Sequence, residues 1–391
     1  MKKKSKNYIE ITTAQVVGET FSFETIEAKN IWIDDEKIEL KQNEYKFTLK
    51  NQTFRIYGDL TYFNCTGEKI TNLDVSNNEK LTELFCSKNK LKHIDISKNC
   101  NLKYFACSDN ELSSLDISKN HNLSILHCHY NQLTDLDISQ NSLLEHLGCS
   151  NNQLTKIDTS NNKNLEIIDC TNNQITDLDI SENQKLTELF CNTNKLISID
   201  ISKNTNLKKL ICFENQLTNL DTSKNLKLNQ LECTFNNLHL LSVSPNLVSL
   251  YCAKNHLTEL DISKNKHLKT LICWKNKLGK LDVSQNENLK ELNCYGNNLT
   301  ELNVSKNQQL EELYCFENEL IGLYISKNKK LKKLSCHRNK LTALNVTQNP
   351  NLRFLYCTEN QIKKIKVNKN QLNNIENQLD WSKDDDAEYV V

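Results

Sequence analysis

Residues 81–99 read LTELFCSKNKLKHIDISKN, and this stretch decides the fold because close copies of it follow one another along most of the chain. Each copy has apolar residues at fixed positions, a central cysteine, and an asparagine three residues later. A single 21-residue copy cannot bury its own apolar side chains, so the copies must stack and share one core. For 391 residues we therefore predict one repeat protein of stacked turns rather than two compact globular domains.

Cysteine marks the repeat most clearly. Fifteen of the sixteen cysteines follow one another at intervals of 21 residues, apart from one interval of 19 between Cys233 and Cys252. Asparagine stands three residues after fourteen of these fifteen cysteines and thirteen residues after all fifteen, from Asn78 to Asn370. We expect these amides to hydrogen-bond backbone groups of neighbouring turns. We also expect the 19-residue turn to lack two residues between Asn246 and Leu247, on the outer side, without changing the strand register.

The Leu-x-Cys segment of each copy is short and alternates apolar with polar residues, as a strand does. Stacked copies of this segment would pair side by side in a parallel sheet. The predicted fold is a β-rich, right-handed solenoid of about fifteen 21-residue turns, with the parallel sheet on its inner face and few helices.

Three regions are expected along the chain. Residues 1–59 contain short alternating segments and predict a small N-terminal β cap; the segments are Tyr8–Thr12, Thr20–Phe23, Ile31–Ile33, Tyr45–Leu49 and Phe54–Tyr57. Residues 60–370 form the solenoid, and residues 371–391 form a C-terminal cap with an acidic tail. The apolar residues expected to close the stack are Ile365, Val367, Leu372, Ile375 and Leu379.

The charge balance excludes some function classes. Lysine plus arginine and aspartate plus glutamate both number 49, which argues against nucleic-acid binding and against attraction to anionic membranes. No apolar run approaches the ~20 residues that span a bilayer, so no membrane insertion is expected. The basic start at Met1–Lys4 is not followed by an apolar stretch, so the sequence as written shows no signal peptide. The location is left open: cell surface or secreted if a signal peptide was removed, otherwise cytoplasmic. We expect a monomer.

Two ladders of reactive side chains have structural explanations. The cysteine ladder could suggest disulfides or zinc, but parallel Cβ vectors suit neither an S–S bond nor four ligands around one point. We expect the thiols to be small buried hydrophobes. An aspartate ladder from Asp74 to Asp282 could suggest calcium, yet the chain lacks the glycine-rich calcium repeat, and local hydrogen bonding is the simpler explanation. No catalytic, metal or cofactor motif is present, so we expect no enzyme.

The strongest functional signal lies beside the cysteines, at positions that the repeat does not constrain and that should point out from the inner face. They carry many aromatic and histidine side chains, with charged residues interleaved. The candidate partner-binding residues are Tyr104, His127, His129, Tyr130, His146, Phe213, Phe235, Tyr251, Trp274, Tyr295, Tyr314, Phe316, His337, Phe354 and Tyr356. Exposed aromatic residues favour a partner that covers them. The alternative is that the rings only stack along the ladder and stiffen the sheet.

The 21-residue pattern resembles the bacterial leucine-rich-repeat class of alternating 10- and 11-residue halves, called IRREKO-type. Within this class, the cysteine ladder resembles the internalin J-like listerial adhesins over residues 60–370. The N-terminal segment is similar to the β-rich leader of leucine-rich-repeat surface proteins of Bacteroides-like bacteria. This resemblance implies a module that recognises a macromolecular partner, protein or glycan, often at a bacterial cell surface. A structural spacer is the main alternative. An enzyme with a catalytic tail is disfavoured because too few residues follow position 370.

Overall fold

The computed structural model describes residues 4–26, 31–38, 43–378 and 380–391. It forms two compact units, Met1–Leu196 and Ile197–Val391. Both units are built from stacked β turns, which number about fifteen in all, with almost no helix. The predicted β-solenoid is therefore confirmed.

In the N-terminal unit, the described strands belong first to an antiparallel region and then to the repeats. They are β1 (Tyr8–Thr13), β2 (Thr20–Glu24), β3 (Trp32–Ile33), β4 (Glu36–Lys37), β5 (Glu44–Thr48), β6 (Thr53–Tyr57), β7 (Tyr62–Asn64), β8 (Ile70–Asp74), β9 (Glu83–Phe85), β10 (Tyr104–Ala106), β11 (Ile125–His127), β12 (His146–Gly148), β13 (Ile167–Asp169) and β14 (Glu188–Phe190).

In the C-terminal unit, short strands continue the repeat, and one helix precedes the last two strands. The elements are β15 (Lys209–Ile211), β16 (Asn219–Asp221), β17 (Gln230–Glu232), β18 (Leu240–Ser242), β19 (Ser249–Tyr251), β20 (Thr270–Ile272), β21 (Glu291–Asn293), β22 (Glu312–Tyr314), β23 (Lys333–Ser335), β24 (Leu344–Asn345), β25 (Phe354–Tyr356), β26 (Lys364–Lys366), α1 (Lys369–Gln378), β27 (Asp380–Ser382) and β28 (Glu388–Val390).

The strands before the cysteines pair in parallel within each unit. In the N-terminal unit, β7 pairs with β9, and β9 to β14 pair in chain order. In the C-terminal unit, the order is β15, β17, β19, β20, β21, β22, β23, β25 and β27. Further parallel pairs form in the other half of the turns: β16 with β18, β24 with β26, and β26 with β28. Paired residues of regular turns are thus one repeat apart.

Except for β27, each strand of this parallel ladder covers the three residues immediately before a ladder cysteine, so the predicted strand is shifted by one residue. β9 ends at Phe85, and Cys86 continues the ladder by donating its N–H to the carbonyl of Ala106 at 2.8 Å. The middle residue of each strand and the cysteine point inward: Leu84 and Cys86 are fully buried. Residues on either side of the buried positions therefore point to the opposite side of the sheet, where the large side chains are partly exposed.

The asparagine after each cysteine connects two turns as predicted. The Nδ2 group of Asn318 donates to the carbonyls of Cys294 in the preceding turn (3.1 Å) and Cys315 in its own turn (3.1 Å), and its Oδ1 accepts the N–H of Leu299 (3.0 Å). These bonds satisfy buried backbone groups that the short sheet leaves unpaired. An amide suits this position because its NH2 group donates to two carbonyls while its oxygen accepts a third hydrogen bond.

The second asparagine ladder differs from the prediction in the 19-residue turn. The ladder position is occupied by fully buried Ser244, whose Oγ donates to the carbonyl of Asn225 at 2.8 Å. Asn246 is exposed and donates to the carbonyl of Leu226 at 2.8 Å. The two missing residues therefore lie between Leu241 and Ser244, and not where the sequence suggested. β17 and β19 still pair without a shift, so the expected preservation of the register is confirmed.

The last ladder position also differs, because a helix begins there. Asn370 is exposed, and the neighbouring Gln371 donates to the carbonyls of Val346 and Asn349, both at 3.0 Å. The main-chain N–H of Gln371 binds Oδ1 of Asn368, and Oε1 of Gln371 accepts the N–H of Asn368, each at 2.9 Å. This reciprocal capping box starts α1 and moves the ladder amide by one residue.

The ends of the repeat are covered in different ways. In the first turn, Glu68 replaces the usual asparagine; it is buried and accepts hydrogen bonds from Gln15 (2.8 Å) and Ser22 (2.5 Å) of the antiparallel region. At the other end, Ile365 and Val367 are buried as expected, but Leu372 is 41 % exposed and does not close the stack. Leu379 lies outside the described residues.

Candidate functional site

Three columns of half-exposed side chains run along the sheet of each unit. They stand three residues before, one residue before and one residue after the ladder cysteines, and we call them the outer, middle and inner columns. The predicted site residues in the outer column are Tyr104, His146 and Phe354; those in the middle column are His127, Tyr251, Tyr314 and Tyr356; those in the inner column are His129, Phe213, Trp274, Tyr295, Phe316 and His337. All of them are partly exposed, as the sequence predicted.

Four consecutive turns of the C-terminal unit place rings in the inner column. Trp274 stacks on Tyr295 with ring centroids 5.1 Å apart, Tyr295 on Phe316 at 4.2 Å, and Phe316 on His337 at 4.3 Å. Their planes differ by 6° to 13° from one ring to the next. We call these four residues the ring stack. The spacing follows from the strand separation of about 4.8 Å, which brings equivalent side chains of neighbouring turns within stacking distance.

Tyr314 belongs to the middle column, two residues before Phe316 of the ring stack. Its hydroxyl donates to Glu312 at 2.8 Å, and Glu312 pairs with Lys333 at 3.0 Å. Burial and the Glu312 carboxylate raise the pKa of Tyr314. Burial, with the neighbouring Glu312, also raises the pKa of Glu291. In this part of the outer column, Glu312 is therefore paired with Lys333, and Glu291 is the neighbouring acidic residue.

Phe235 and Tyr130 stand two residues after their cysteines, at a position that bends out of the sheet. Both have positive φ, 56° and 52°, and they are the more exposed of the predicted rings, at 40 % and 61 %. Phe235 meets Trp274 edge-on at 6.0 Å. We call this position the bend column. These two residues are thus on the rim of the face and not on a strand.

The N-terminal unit has its own line of aromatic contacts. Tyr62 packs against Phe85 (5.2 Å), Phe85 against Tyr104 (4.6 Å), and Tyr104 edge-on against His127 (5.4 Å). Tyr62 was missed because its turn is the first and departs most from the repeat, although its place three residues before Cys65 could have identified it. The face of this unit therefore also carries rings.

Two histidines of the N-terminal unit lean over Gly148. A Cβ atom on Gly148 would lie 2.2 Å from Nε2 of His129 and 3.1 Å from the ring of His127. Nδ1 of His129 is 2.6 Å from the Ser150 hydroxyl and 3.8 Å from Asp169. Burial lowers the pKa of both histidines. The neighbouring His129 and His146 lower the pKa of His127 further, and Asp169 opposes the shift at both residues. The missing side chain at Gly148 thus makes room for a partly desolvated histidine cluster.

The aspartate ladder is occupied by local hydrogen bonds. Oδ1 of Asp95 accepts the N–H of Ser97 at 2.9 Å, and the same bond recurs at Asp261 and Asp282. These N–H bonds lower the pKa of Asp95. No group of three or more metal-ligating side chains is arranged around a common point among the described residues.

The ladder cysteines are buried free thiols, while Cys100 is exposed. Burial raises the pKa of Cys86 to about 12, and it acts in the same direction on the other ladder cysteines whose pKa shifts. The thiols therefore behave as small apolar side chains that fill the core. Separately, the described part of the chain contains no helix that is both long and apolar enough to cross a membrane.

Comparisons with known proteins agree with the repeat. A family model described as Leucine Rich repeats (2 copies) matches residues 142–183. Among solved structures, the chain is similar to the functional domain of InlJ from Listeria monocytogenes, which includes a cysteine ladder: 34% of residues are identical over 80% of this chain and 76% of that one, with a TM-score of 0.67. No curated protein sequence matches.

Two more distant structures share the fold. A leucine-rich-repeat protein of Leptospira interrogans is 23% identical over 84% of this chain and 95% of its own, with a TM-score of 0.70. The Arabidopsis receptor kinase HAESA, in complex with the peptide hormone IDA and the co-receptor SERK1, is 18% identical over 85% of this chain and 71% of its own, with a TM-score of 0.67.

Proposed function

Because the chain belongs to the leucine-rich-repeat family, among the cysteine-ladder solenoids that include InlJ, we propose that it is a non-catalytic module that binds a partner protein through the face of its C-terminal unit. The observation that carries this proposal is the ring stack. Its four rings are partly exposed on one continuous strip. Contiguous exposed apolar surface of this kind marks interaction sites, and Trp and Tyr are frequent binding anchors.

The geometry of the ring stack favours a protein over a glycan. A sugar packs its C–H groups against an open aromatic face. In the ring stack, the nearly parallel planes cover one another's faces, so that mainly the ring edges remain available. Apolar and aromatic side chains of a protein can pack against such a ridge. The likeness to HAESA, which was solved with a peptide hormone, supports the same choice.

A structural spacer is the alternative function, and in it the same rings have a purely structural role. In that alternative, stacking along the ladder stiffens the sheet, and exposure of the edges is incidental. The two alternatives differ in one respect: only the binding proposal requires a partner whose affinity depends on these rings.

Affinity capture from host and bacterial lysates tests the proposal. A partner should be captured by the wild-type chain and lost, by at least about thirtyfold in affinity, from the variant Trp274→Ala/Phe316→Ala, since truncating central aromatic anchors costs about 2 kcal/mol or more. The control Tyr324→Ala removes a ring that is 83 % exposed but lies nine residues after Cys315, away from the strands, and it should retain the partner. Capture that survives loss of the ring stack would contradict the proposal.

The variant needs a check on folding. Trp274 and Phe316 are partly exposed, but they stack on neighbouring rings. Their removal should therefore lower the free energy of unfolding by about 1–2 kcal/mol. Binding is therefore compared at a temperature at which circular dichroism shows both proteins fully folded.

A further inference from the structure

The bend column beside the ring stack carries two lysines whose ammonium groups lie over rings. Nζ of Lys254 is 4.2 Å from the ring centroid of Phe235 and 5.7 Å from that of Trp274, and Nζ of Lys275 is 5.8 Å from that of Tyr295. A cation over an aromatic ring is attracted by the ring's negative face. We call these five residues the cationic corner.

Neither lysine of the cationic corner forms an ion pair with any residue that the structure describes, and both are exposed. Farther along the same column, Arg338 is neutralised on both sides, by Glu317 at 2.8 Å and by Glu359 at 3.0 Å. In the bend column, Arg338 is thus paired with two carboxylates, whereas Lys254 and Lys275 have no ion pair among the described residues.

Gly296 lies between the two lysines and Arg338 in this column. It occupies the bend column between Lys275 and Glu317 with φ 63°, and a Cβ atom there would lie 3.0 Å from Cγ of Lys275. The glycine therefore leaves room for the lysine stem, and the next acidic residue of the bend column, Glu317, lies two turns beyond Lys275. Lys275 remains available to an external anion.

We propose that the cationic corner receives an acidic, extended peptide segment of the partner, with a carboxylate against Lys254 and Lys275 and an apolar side chain against the ring stack. This inference rests on the proposed function. A carboxylate near both lysines would place the Lys254 ammonium group between the Phe235 ring and an anion, and partner contact would remove water and strengthen the attraction.

The surrounding charges argue for a peptide rather than a uniformly anionic polymer. Across the sheet, the outer column of the next turns presents Glu291 and Glu312, and Glu317 lies beyond Gly296. A polyanion that followed the face would meet these carboxylates, whereas a peptide can place acidic and apolar residues at separate positions. The lysines Lys254 and Lys275 on one side of the strands and Glu291 on the other would also fix the direction of the bound segment.

Selection from random peptides displayed on phage tests this assignment with the full chain. The wild-type protein should enrich peptides that combine acidic with apolar residues. The affinity of selected peptides, measured by fluorescence polarisation, should fall about tenfold in Lys254→Gln/Lys275→Gln, the sum expected of two partly exposed ion pairs. Lys254→Arg/Lys275→Arg should restore it. The control Lys224→Gln/Lys264→Gln, in the Ser-Lys-Asn bends away from the strands, should bind like wild type.

The outcomes separate this inference from the proposed function. Peptides that need Trp274 and Phe316 but are not acidic, or that ignore the lysine changes, would overturn the inference and leave the proposed function standing. Selected peptides that bind equally well without the ring stack would contradict both. Heparin retention that depends on Lys254 and Lys275, with no acidic peptide enriched, would assign the corner to a polyanionic glycan and overturn the peptide inference.

Discussion

The rings of Tyr295 and Phe316 lie 4.2 Å apart with 9° between their planes, although 21 residues separate them in the chain. The repeat brings them together, because equivalent positions in consecutive turns are neighbours in the sheet. A substitution of one ring should therefore change the contribution of the other ring to the free energy of unfolding.

A double-mutant cycle measures this coupling. We expect Tyr295→Leu and Phe316→Leu together to cost about 0.5–1.5 kcal/mol less than the sum of the single substitutions, which is the usual worth of an aromatic pair. Urea unfolding followed by circular dichroism gives the three free energies. Pairing Phe316→Leu with Tyr324→Leu, a ring outside the stack, should give additive effects. Additivity for the stacked pair would mean that the stacking contributes nothing to stability.

The asparagine after each cysteine should carry a large share of turn stability. Asn318→Ala removes the partners of the Leu299 N–H and the Cys294 carbonyl, and we expect a loss of about 1–3 kcal/mol, because unsatisfied buried backbone groups are costly. Asn288 offers a matched control: its exposed amide makes one bond, to the carbonyl of Lys266 at 2.9 Å. Asn288→Ala should cost less than about 1 kcal/mol. Equal losses in the two variants would contradict this role of burial.

The histidine cluster should make stability depend on pH. The pKa of His127 and of His129 is lowered by burial in the folded chain, so the unfolded chain binds protons more readily. The stability that these two uncharged histidines contribute should be fully present above pH 6.5, the ordinary histidine pKa. It should be lost as the pH falls below 6.5 toward the lower pKa values of the folded chain. Thermal melting at pH 7.5 and pH 5.0 measures this decrease.

Two variants isolate the cause of the pH dependence. His127→Gln/His129→Gln should make the decrease in melting temperature between these pH values smaller. Gly148→Ala should weaken the dependence as well, because its Cβ would displace the His129 ring toward solvent. Should both variants keep the wild-type profile, the decrease arises from other groups.

The thiols should divide into one reactive and fifteen protected groups. Only Cys100 is exposed among the sixteen cysteines, and burial raises the pKa of ladder thiols such as Cys86, so few thiolates form near neutral pH. Ellman's reagent should titrate one thiol in the native protein and all sixteen after denaturation. Cys100→Ser should abolish the native reaction. Disulfides between neighbouring ladder positions, found by mass mapping, would refute the assignment.

Sequence reasoning predicted the features that the repeat itself determines. The buried cysteines, the asparagine bonds and the inner-column rings follow from fixed spacing, since each turn repeats the same backbone path. Local irregularities were not predictable in the same way. Ser244 and Gln371 replace ladder asparagines because a shortened bend and a helix start move the backbone, while Asn246 and Asn370 keep the spacing in the sequence alone.

The candidate site was predictable by residue type but not by arrangement. Tyr314 and Phe316 both flank Cys315, yet their contacts differ: Phe316 stacks on Tyr295, whereas the Tyr314 hydroxyl donates to Glu312. Gly148 and Gly296 leave space that is filled by His129 and Lys275. Each of these side chains belongs to the preceding turn and is distant from its glycine in the sequence. Such contacts require the three-dimensional register.

Hydroxyl-radical footprinting of the wild-type chain, free and bound to its captured partner, tests the central claim most directly. Trp274, Tyr295 and Phe316 are partly exposed in the free chain and should lose most of their oxidation in the complex. Tyr324, which is 83 % exposed, should be oxidised equally in both. Unchanged oxidation of the three rings together with protection of Tyr324 would place the binding surface elsewhere and contradict the account.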